Sequence, residues 1–455
     1  MYVTRLTMSG VRGFDGPRAV DIGFPQQPDG SYAGWTVLAG RNGAGKTTLL
    51  QSVVLAGAGP SLLTTSAAAE SWVSDFQEHR LPPNVSVSFF HRPQYKSGWP
   101  ESGRLSVEWW VDFGGPGEEA GEGTGKGELE PGWSVTPMPR SRPNRADLGG
   151  PWALHPNDWM TLGYGPFRRH SQPDVGLHDL DRPTRESGWR TLFDEDATLV
   201  EGVSWLIGQH LRQLEGKEGA AELVAIVLRL LGDGLLPDGF HIVRVDSAGL
   251  WVRQADGREM PLRRMSDGYR TVGALVVDIV RRMHASFGTL EIEERDGVPT
   301  LPYPGVVLID EVDAHLHVSW QKKIGGWLKA HFPKIQFIVT THSPYICQNA
   351  DPGGLIRLPG PDEPEPPRVV DEDLYHRVVY GSGDDAVLSE LFGVETPYSA
   401  EAERLRRRLG DLEARVLDGQ ATEAEVEEFR ALRELLTSSL MARVDEVSAR
   451  LGHER

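Results

Sequence analysis

Apolar and polar residues alternate over Tyr2 to Met8 and again over Ala19 to Phe24, and a compact apolar run from Trp35 to Ala39 ends at a glycine. Each pattern predicts a short strand. The glycine-rich stretch Gly40-Arg41-Asn42-Gly43-Ala44-Gly45-Lys46-Thr47 follows at once, and helical spacing then runs through Thr48, Leu49, Leu50 and Val53. Strand, glycine loop and helix therefore come in that order. From Ala56 to Glu259 the pattern is less regular. It predicts antiparallel strands at Val85 to Phe90 and Leu105 to Phe113, helices at Glu201 to Leu214 and Ala220 to Leu231, and a hairpin of Ile242 to Val245 with Leu250 to Arg253.

Regularity returns at Met265. A long apolar helix, Thr271 to Met283, precedes the uniformly apolar strand Val306 to Ile309, then a helix from Trp320 to Phe332 and a β-branched strand from Ile335 to Thr340. Strands apolar on both sides belong inside a parallel sheet, and strand, helix, strand is its repeating unit. Pro359 to Pro367 reads as a semi-rigid linker that ends this core, followed by charged amphipathic helices at Asp384 to Phe392 and Ala400 to Leu451. The organisation expected is a core in two halves, residues 1–55 and 260–358, an inserted α+β lobe over 56–259, and a helical extension over 359–455. Gly114 to Gly132 holds almost nothing apolar and is expected to be a disordered loop.

Composition narrows the function classes. The chain has 455 residues, 39% hydrophobic and 25% charged, which sets a prior of about two to three domains with a real core. A single cysteine, Cys347, excludes an internal disulfide and a cysteine-rich zinc cage. A net charge of −18 is the reverse of a nucleic-acid coat, so nucleic-acid contact needs a local basic patch, for which Arg168-Arg169, Arg263-Arg264 and Arg281-Arg282 are candidates. Helix-surface solvation explains each pair equally well. No basic and apolar leader opens the chain and no apolar run approaches the ~20 residues of a bilayer span, so a cytoplasmic protein off the membrane is expected.

Four segments hold the chemistry. Consecutive backbone N–H groups wrap a phosphate only where side chains are absent, and a helix adds its positive end. On that reading Gly40 to Thr48 cradle a nucleotide, Lys46 reaches its β- and γ-phosphates, and the Thr47 hydroxyl serves Mg²⁺. The strand Val306 to Ile309 delivers Asp310 and Glu311 at its carboxyl end, where parallel sheets bind ligands. Asp310 would hold Mg²⁺ through water and Glu311 would polarise the attacking water; taken alone, the pair is also compatible with a solvated acidic turn. In Thr340-Thr341-His342-Ser343-Pro344, His342 is placed to donate to a γ-phosphate. Ser266, in Met265-Ser266-Asp267-Gly268-Tyr269-Arg270, is a helix cap whose neighbouring N–H groups are able to grip an anion.

In order, these segments resemble the ABC-type ATPases, and in detail the RecF/SMC-like and overcoming-lysogenization-defect-like branch filed with the AAA family. The resemblance implies an α/β fold: an ABC-type P-loop core with a mixed sheet. It makes Gly40 to Thr47 the Walker A loop, Ser266, Asp267 and Gly268 the signature acting in trans, Asp310 and Glu311 the Walker B pair, Asp313 to His317 the D-loop region and His342 the switch histidine. Val11-Arg12-Gly13-Phe14 looks like the first-strand motif of this branch, and Leu162-Gly163-Tyr164-Gly165-Pro166-Phe167-Arg168-Arg169 looks like a segment of Septu and retron-associated defence ATPases. Met265 replaces the usual leucine, a volume-conserving change. The Q-loop glutamine stays unassigned among Gln77, Gln94 and Gln172. A zinc site of His315, His317 and Asp313 is the alternative to a D-loop turn.

The resemblance implies ATP hydrolysis with Mg²⁺, a homodimer or higher even-numbered assembly closed by ATP, and control of a separate effector such as a nuclease in anti-phage defence. Pro359 to Arg455 read as mostly helical, without an apolar strand ending in paired carboxylates, which disfavours a built-in nuclease. The competing expectation is a RecF/SMC-like repair ATPase whose hydrolysis regulates DNA binding. A transporter subunit is the third.

Overall fold

The computed structural model describes residues 2–58, 84–90, 102–112, 128–136, 160–166, 188–194, 197, 199–394, 396 and 398–436. The chain divides into two compact units, Met1–Phe392 and Gly393–Arg455.

In the first unit, β1 (Tyr2–Ser9), β2 (Val20–Gly23) and β3 (Gly34–Ala39) lead into α1 (Lys46–Ala58), as the alternation and the glycine loop predict. Next come β4 (Asn84–Phe90), β5 (Ser102–Asp112), β6 (Glu128–Thr136), β7 (Thr161–Tyr164) and α2 (Arg190–Phe193). Helices α3 (Val200–Leu214) and α4 (Ala220–Gly232) are followed by strands β8 (His241–Asp246), β9 (Gly249–Arg253) and β10 (Glu259–Pro261), and then by α5 (Asp267–Phe287). After the hairpin β11 (Glu293–Arg295) and β12 (Val298–Thr300) come β13 (Gly305–Ile309), α6 (Val318–Gln321), α7 (Ile324–His331), β14 (Ile335–Thr341), α8 (Pro344–Cys347), β15 (Leu355–Arg357), β16 (Arg368–Val369), α9 (Glu372–Val379) and α10 (Gly383–Val387).

A six-stranded sheet ordered β16-β15-β3-β14-β13-β7 forms the centre. All its pairings are parallel except the edge pair of β15 with β16, so the sheet is mixed and the fold is α/β, as expected. Side chains that alternate along one strand go to opposite cores: Val306 and Leu308 join the apolar cluster containing α1, and Val307 and Ile309 join the one containing α5. That two-sided burial is why β13 is apolar throughout.

A second sheet, ordered β2-β1-β4-β5-β6, covers the other side of α1. Strands β4, β5 and β6 of the segment expected as an insert therefore form no separate sheet, since β4 pairs with β1 from the amino-terminal segment, whereas β8, β9 and β10 make a three-stranded sheet that includes the expected hairpin. The expected disordered loop is corrected in part. Residues 128–132 lie in β6, where their backbone groups pair with β5 in spite of their polarity, and 113–127 lie outside the described residues.

The boundary expected at Pro359 also moves, because the acidic Pro-rich stretch is tied down. Buried Arg357 pairs with Glu363 at 2.6 Å and Glu365 at 3.2 Å, Arg41 pairs with Asp362, and the Tyr375 hydroxyl in α9 donates to the Ala350 carbonyl at 2.9 Å. The expected helix at Trp320 to Phe332 is α6 and α7, interrupted at Lys322 and Lys323. The second unit holds α11 (Ala400–Leu417), capped by Ser399, and α12 (Glu423–Leu436). These helices are joined by Arg408–Glu428 and Arg415–Glu425 pairs, and among their described residues only Leu412 is fully buried.

Candidate nucleotide site

The loop from Gly40 to Gly45 links the central strand β3 to α1. Two of its glycines, Gly43 at φ 77° and Gly45 at φ 90°, have left-handed backbone. Gly45 meets a second constraint: a Cβ there would lie 2.4 Å from Cζ of Phe14, whose buried ring packs against the loop. Only glycine suits both conditions. Buried Lys46 opens the helix, and its Nζ donates to the carbonyls of Gly40 at 2.8 Å and Arg41 at 3.1 Å. Burial lowers the Lys46 pKa, opposed by the nearby carboxylates of Asp310, Glu311 and Asp313.

At the carboxyl end of β13, the Thr47 hydroxyl donates to Asp310 Oδ2 at 2.6 Å. The buried Asp310 carboxylate also accepts from the Thr340 hydroxyl at the end of β14, and its amide donates to the Tyr164 carbonyl at 2.7 Å. Thr340 Oγ1 in turn accepts from the Glu311 amide at 2.7 Å, holding Glu311 in a left-handed conformation at φ 44°. A non-glycine residue with positive φ stores strain that its surroundings must support. Thr47 and Asp310 present hard oxygens beside further carboxylates, a donor set that fits Mg²⁺, which takes few protein ligands.

His342 is exposed just beyond β14, and Thr341 donates to Asp313 beside it. Partial burial and then the Lys46 charge lower the His342 pKa, opposed by Glu311, Asp313 and Asp310. Lys46, Thr47, Asp310, Glu311, Asp313 and His342 thus share one end of the parallel sheet. Within the loop Asn42 is exposed and Ala44 is buried, and Thr48 lies in the first turn of α1.

Ser266, Asp267 and Gly268 open α5 elsewhere, against the turn after Glu311. A Cβ on Gly268 would lie 2.3 Å from the His315 carbonyl. Ser266 occupies the N-cap position as expected, but its side chain makes no capping bond and the residue is exposed. Beside it, Tyr269, Val272, Leu316 and Trp320 line an apolar cleft edged by His315 and His317. The zinc alternative fails, since His317 Nδ1 caps α6 through the Ser319 amide and no three-ligand cluster exists among the described residues.

Of the arginine pairs, Arg263 and Arg264 are exposed, Arg168 and Arg169 lie outside the described residues, and Arg281 and Arg282 are buried in ion pairs with Asp278. The third pair is therefore not part of a phosphate stripe. Gln77, Gln94 and Gln172 lie outside the described residues. No helix among the described residues is long and apolar enough to cross a membrane. Sequence reasoning gave Thr340 and Tyr164 no role. Thr340 was legible only as a neighbour of His342, while Tyr164 lay in a segment singled out by resemblance alone.

The family described as "AAA domain, putative AbiEii toxin, Type IV TA system" matches residues 208–348. The chain is 40% identical to the "Retron Ec83 probable ATPase" of Escherichia coli over 25% of this chain and 20% of that protein. It is 30% identical to the Septu protein PtuA of Bacillus thuringiensis over 34% of this chain and 38% of that one. The matched stretches thus span well under half of these relatives. A solved SMC head bound to the C-winged helix domain of ScpA aligns at 17% identity over 81% of this chain and 97% of that one, with a TM-score of 0.46. Over these stretches the chain resembles AAA-domain proteins, among them a retron ATPase and Septu PtuA.

Proposed function

We propose that this chain is an ATP hydrolase whose nucleotide is shared between two copies. The observation that supports the reading best is the 2.6 Å bond between Thr47 and Asp310, which joins the glycine loop to the acidic strand beside Lys46. In this reading the N–H groups of Gly40 to Thr48 and the Lys46 ammonium hold the β- and γ-phosphates. Mg²⁺, held by Thr47 and Asp310, supplies charge neutralisation on the phosphates when bound. Glu311 orients and polarises the attacking water, and His342 contacts the γ-phosphate as a neutral imidazole.

The exposed Ser266, with Asp267, Gly268 and the start of α5, completes the site of a second copy, while Asp313 shapes the junction between copies. ATP then closes a homodimer, or a higher even-numbered assembly, and hydrolysis loosens it. The resemblance to Septu and retron ATPases supports a role in anti-phage defence in the cytoplasm, with nucleotide state governing a separate effector such as a nuclease. Sizing Glu311→Gln with and without ATP and Mg²⁺ tests the scheme. A dimer only with nucleotide is expected, absent in Lys46→Ala; a monomer in both conditions would overturn it.

A further inference from the structure

Tyr164 stands at the end of β7, beside the acidic strand. It pairs with Ile309 in the parallel register of β7 and β13, and its carbonyl accepts from the Asp310 amide at 2.7 Å. Its ring is 1% exposed, and its hydroxyl donates to Asp278 Oδ2 at 2.9 Å.

Asp278 lies inside α5, about 16 Å along the helix from Asp267 at ~1.5 Å per residue. It is 3% exposed and meets Arg281 Nε at 3.1 Å and Arg282 Nε at 3.5 Å. Arg281, 1% exposed, continues to Glu201 of α3 at 2.6 Å. Helices α3 and α5 touch here, since a Cβ on Gly202 would lie 3.1 Å from the Asp278 amide nitrogen. Burial works to raise the Asp278 pKa, but Arg282 and Arg281 outweigh it and hold the carboxylate ionised.

Burying the Asp278 carboxylate and two guanidiniums, with the partly exposed Glu201 at their edge, is an expensive way to gain stability, because desolvation offsets most of the Coulomb attraction. What such a cluster provides is a fixed register, as each charge has a partner in one arrangement only. This register runs from the Asp310 amide, through Tyr164 and Asp278, into the helix that begins at the exposed Ser266, and on to α3.

We propose that Tyr164 and Asp278 are positioning residues for ATP hydrolysis, fixing the Asp310–Glu311 turn relative to α5 and tying both to α3. The proposal rests on the ATPase reading above and adds the device that aligns its two halves within one chain. Helix α3 becomes the element through which a partner's contact would alter turnover.

Tyr164→Phe removes one hydroxyl and keeps the ring, and Asp278→Asn removes the charge. For Tyr164→Phe, kcat is expected to fall about tenfold or more with the nucleotide Kd within about twofold, since loss of alignment rather than of binding lowers kcat. Thermal melting and circular dichroism on the same samples establish the folded fraction, so Tyr164→Phe keeps the test decisive even where Asp278→Asn does not fold. Unchanged kcat per folded molecule in Tyr164→Phe, with or without a lowered Tm, would overturn the positioning role while leaving the ATPase reading intact. Absence of turnover in the unsubstituted protein would overturn both.

Discussion

The hydroxyl of Thr340 donates to the Asp310 carboxylate and accepts from the Glu311 amide at 2.7 Å, so one side chain on β14 locks two consecutive residues at the end of β13. Because Glu311 sits at φ 44°, the lock holds a conformation that the chain does not favour by itself.

Thr340→Val keeps the shape and removes both bonds. The stranded Glu311 amide and one lone pair of Asp310 should cost about 1–3 kcal/mol of stability. The expected result is a lower urea midpoint, turnover reduced by about tenfold or more, and nucleotide affinity little changed, because Lys46 and the glycine loop are untouched. Thr340→Ser should restore most of both properties. Steady-state hydrolysis with isothermal titration separates these outcomes.

Gly45 combines φ 90° with an aromatic ring at its Cα. Gly45→Ala should therefore destabilise the protein by about 1–3 kcal/mol and abolish nucleotide binding, since the N–H groups of the loop move with it. In the Phe14→Ala, Gly45→Ala double variant the ring clash is gone and the backbone strain remains. Stability should then exceed the sum of the two single losses subtracted from wild type, a coupling that denaturant melts of the four proteins measure directly.

His342 titrates below its ordinary value of 6.5. A depressed imidazole pKa means that the unfolded chain takes up the proton first. Stability contributed by the neutral ring is complete above about 6.5 and is lost as pH falls through the folded value. Lys46 is the second cause of the shift, after burial, so Lys46→Met should move the His342 titration upward. Proton NMR of the imidazole in both proteins reads this without needing turnover; an unmoved titration would mean that the Lys46 charge does not reach the ring.

The sequence made the centre of the sheet readable and its edges much less so. Val306 to Ile309 is apolar because both faces are covered, and Gly40 to Thr47 has a spacing that few other structures use. In contrast, β7 is a four-residue strand with a glycine inside, and β6 carries two glutamates, a proline and a glycine. Both are strands because a neighbour supplies hydrogen bonds, a fact that no local pattern records. Arg281 and Arg282 read as surface cations for a related reason. Their partner Asp278 was visible three and four residues earlier, but nothing in the spacing shows that this face of α5 packs against α3 and β7. The dense ties of Arg357 and Arg41 to Glu363 and Asp362 likewise turn an apparent linker into part of the first unit.

Gly268 offers the sharpest test of the start of α5, where Ser266 and Asp267 are exposed. A methyl group there would meet the His315 carbonyl at 2.3 Å, a contact that side chains cannot relieve because the obstacle is backbone. Gly268→Ala must therefore push the first turn of α5 away from the turn after Asp313. The glycine loop, Lys46 and Thr47 lie on other elements, so nucleotide binding by a single chain should change by less than about twofold. If Ser266 and Gly268 complete a partner's site, turnover should fall by about a hundredfold, as a misplacement of ~1 Å can cause. The ATP-dependent dimer of the Glu311→Gln protein should weaken in parallel. Full turnover in Gly268→Ala would remove the start of α5 from the reaction.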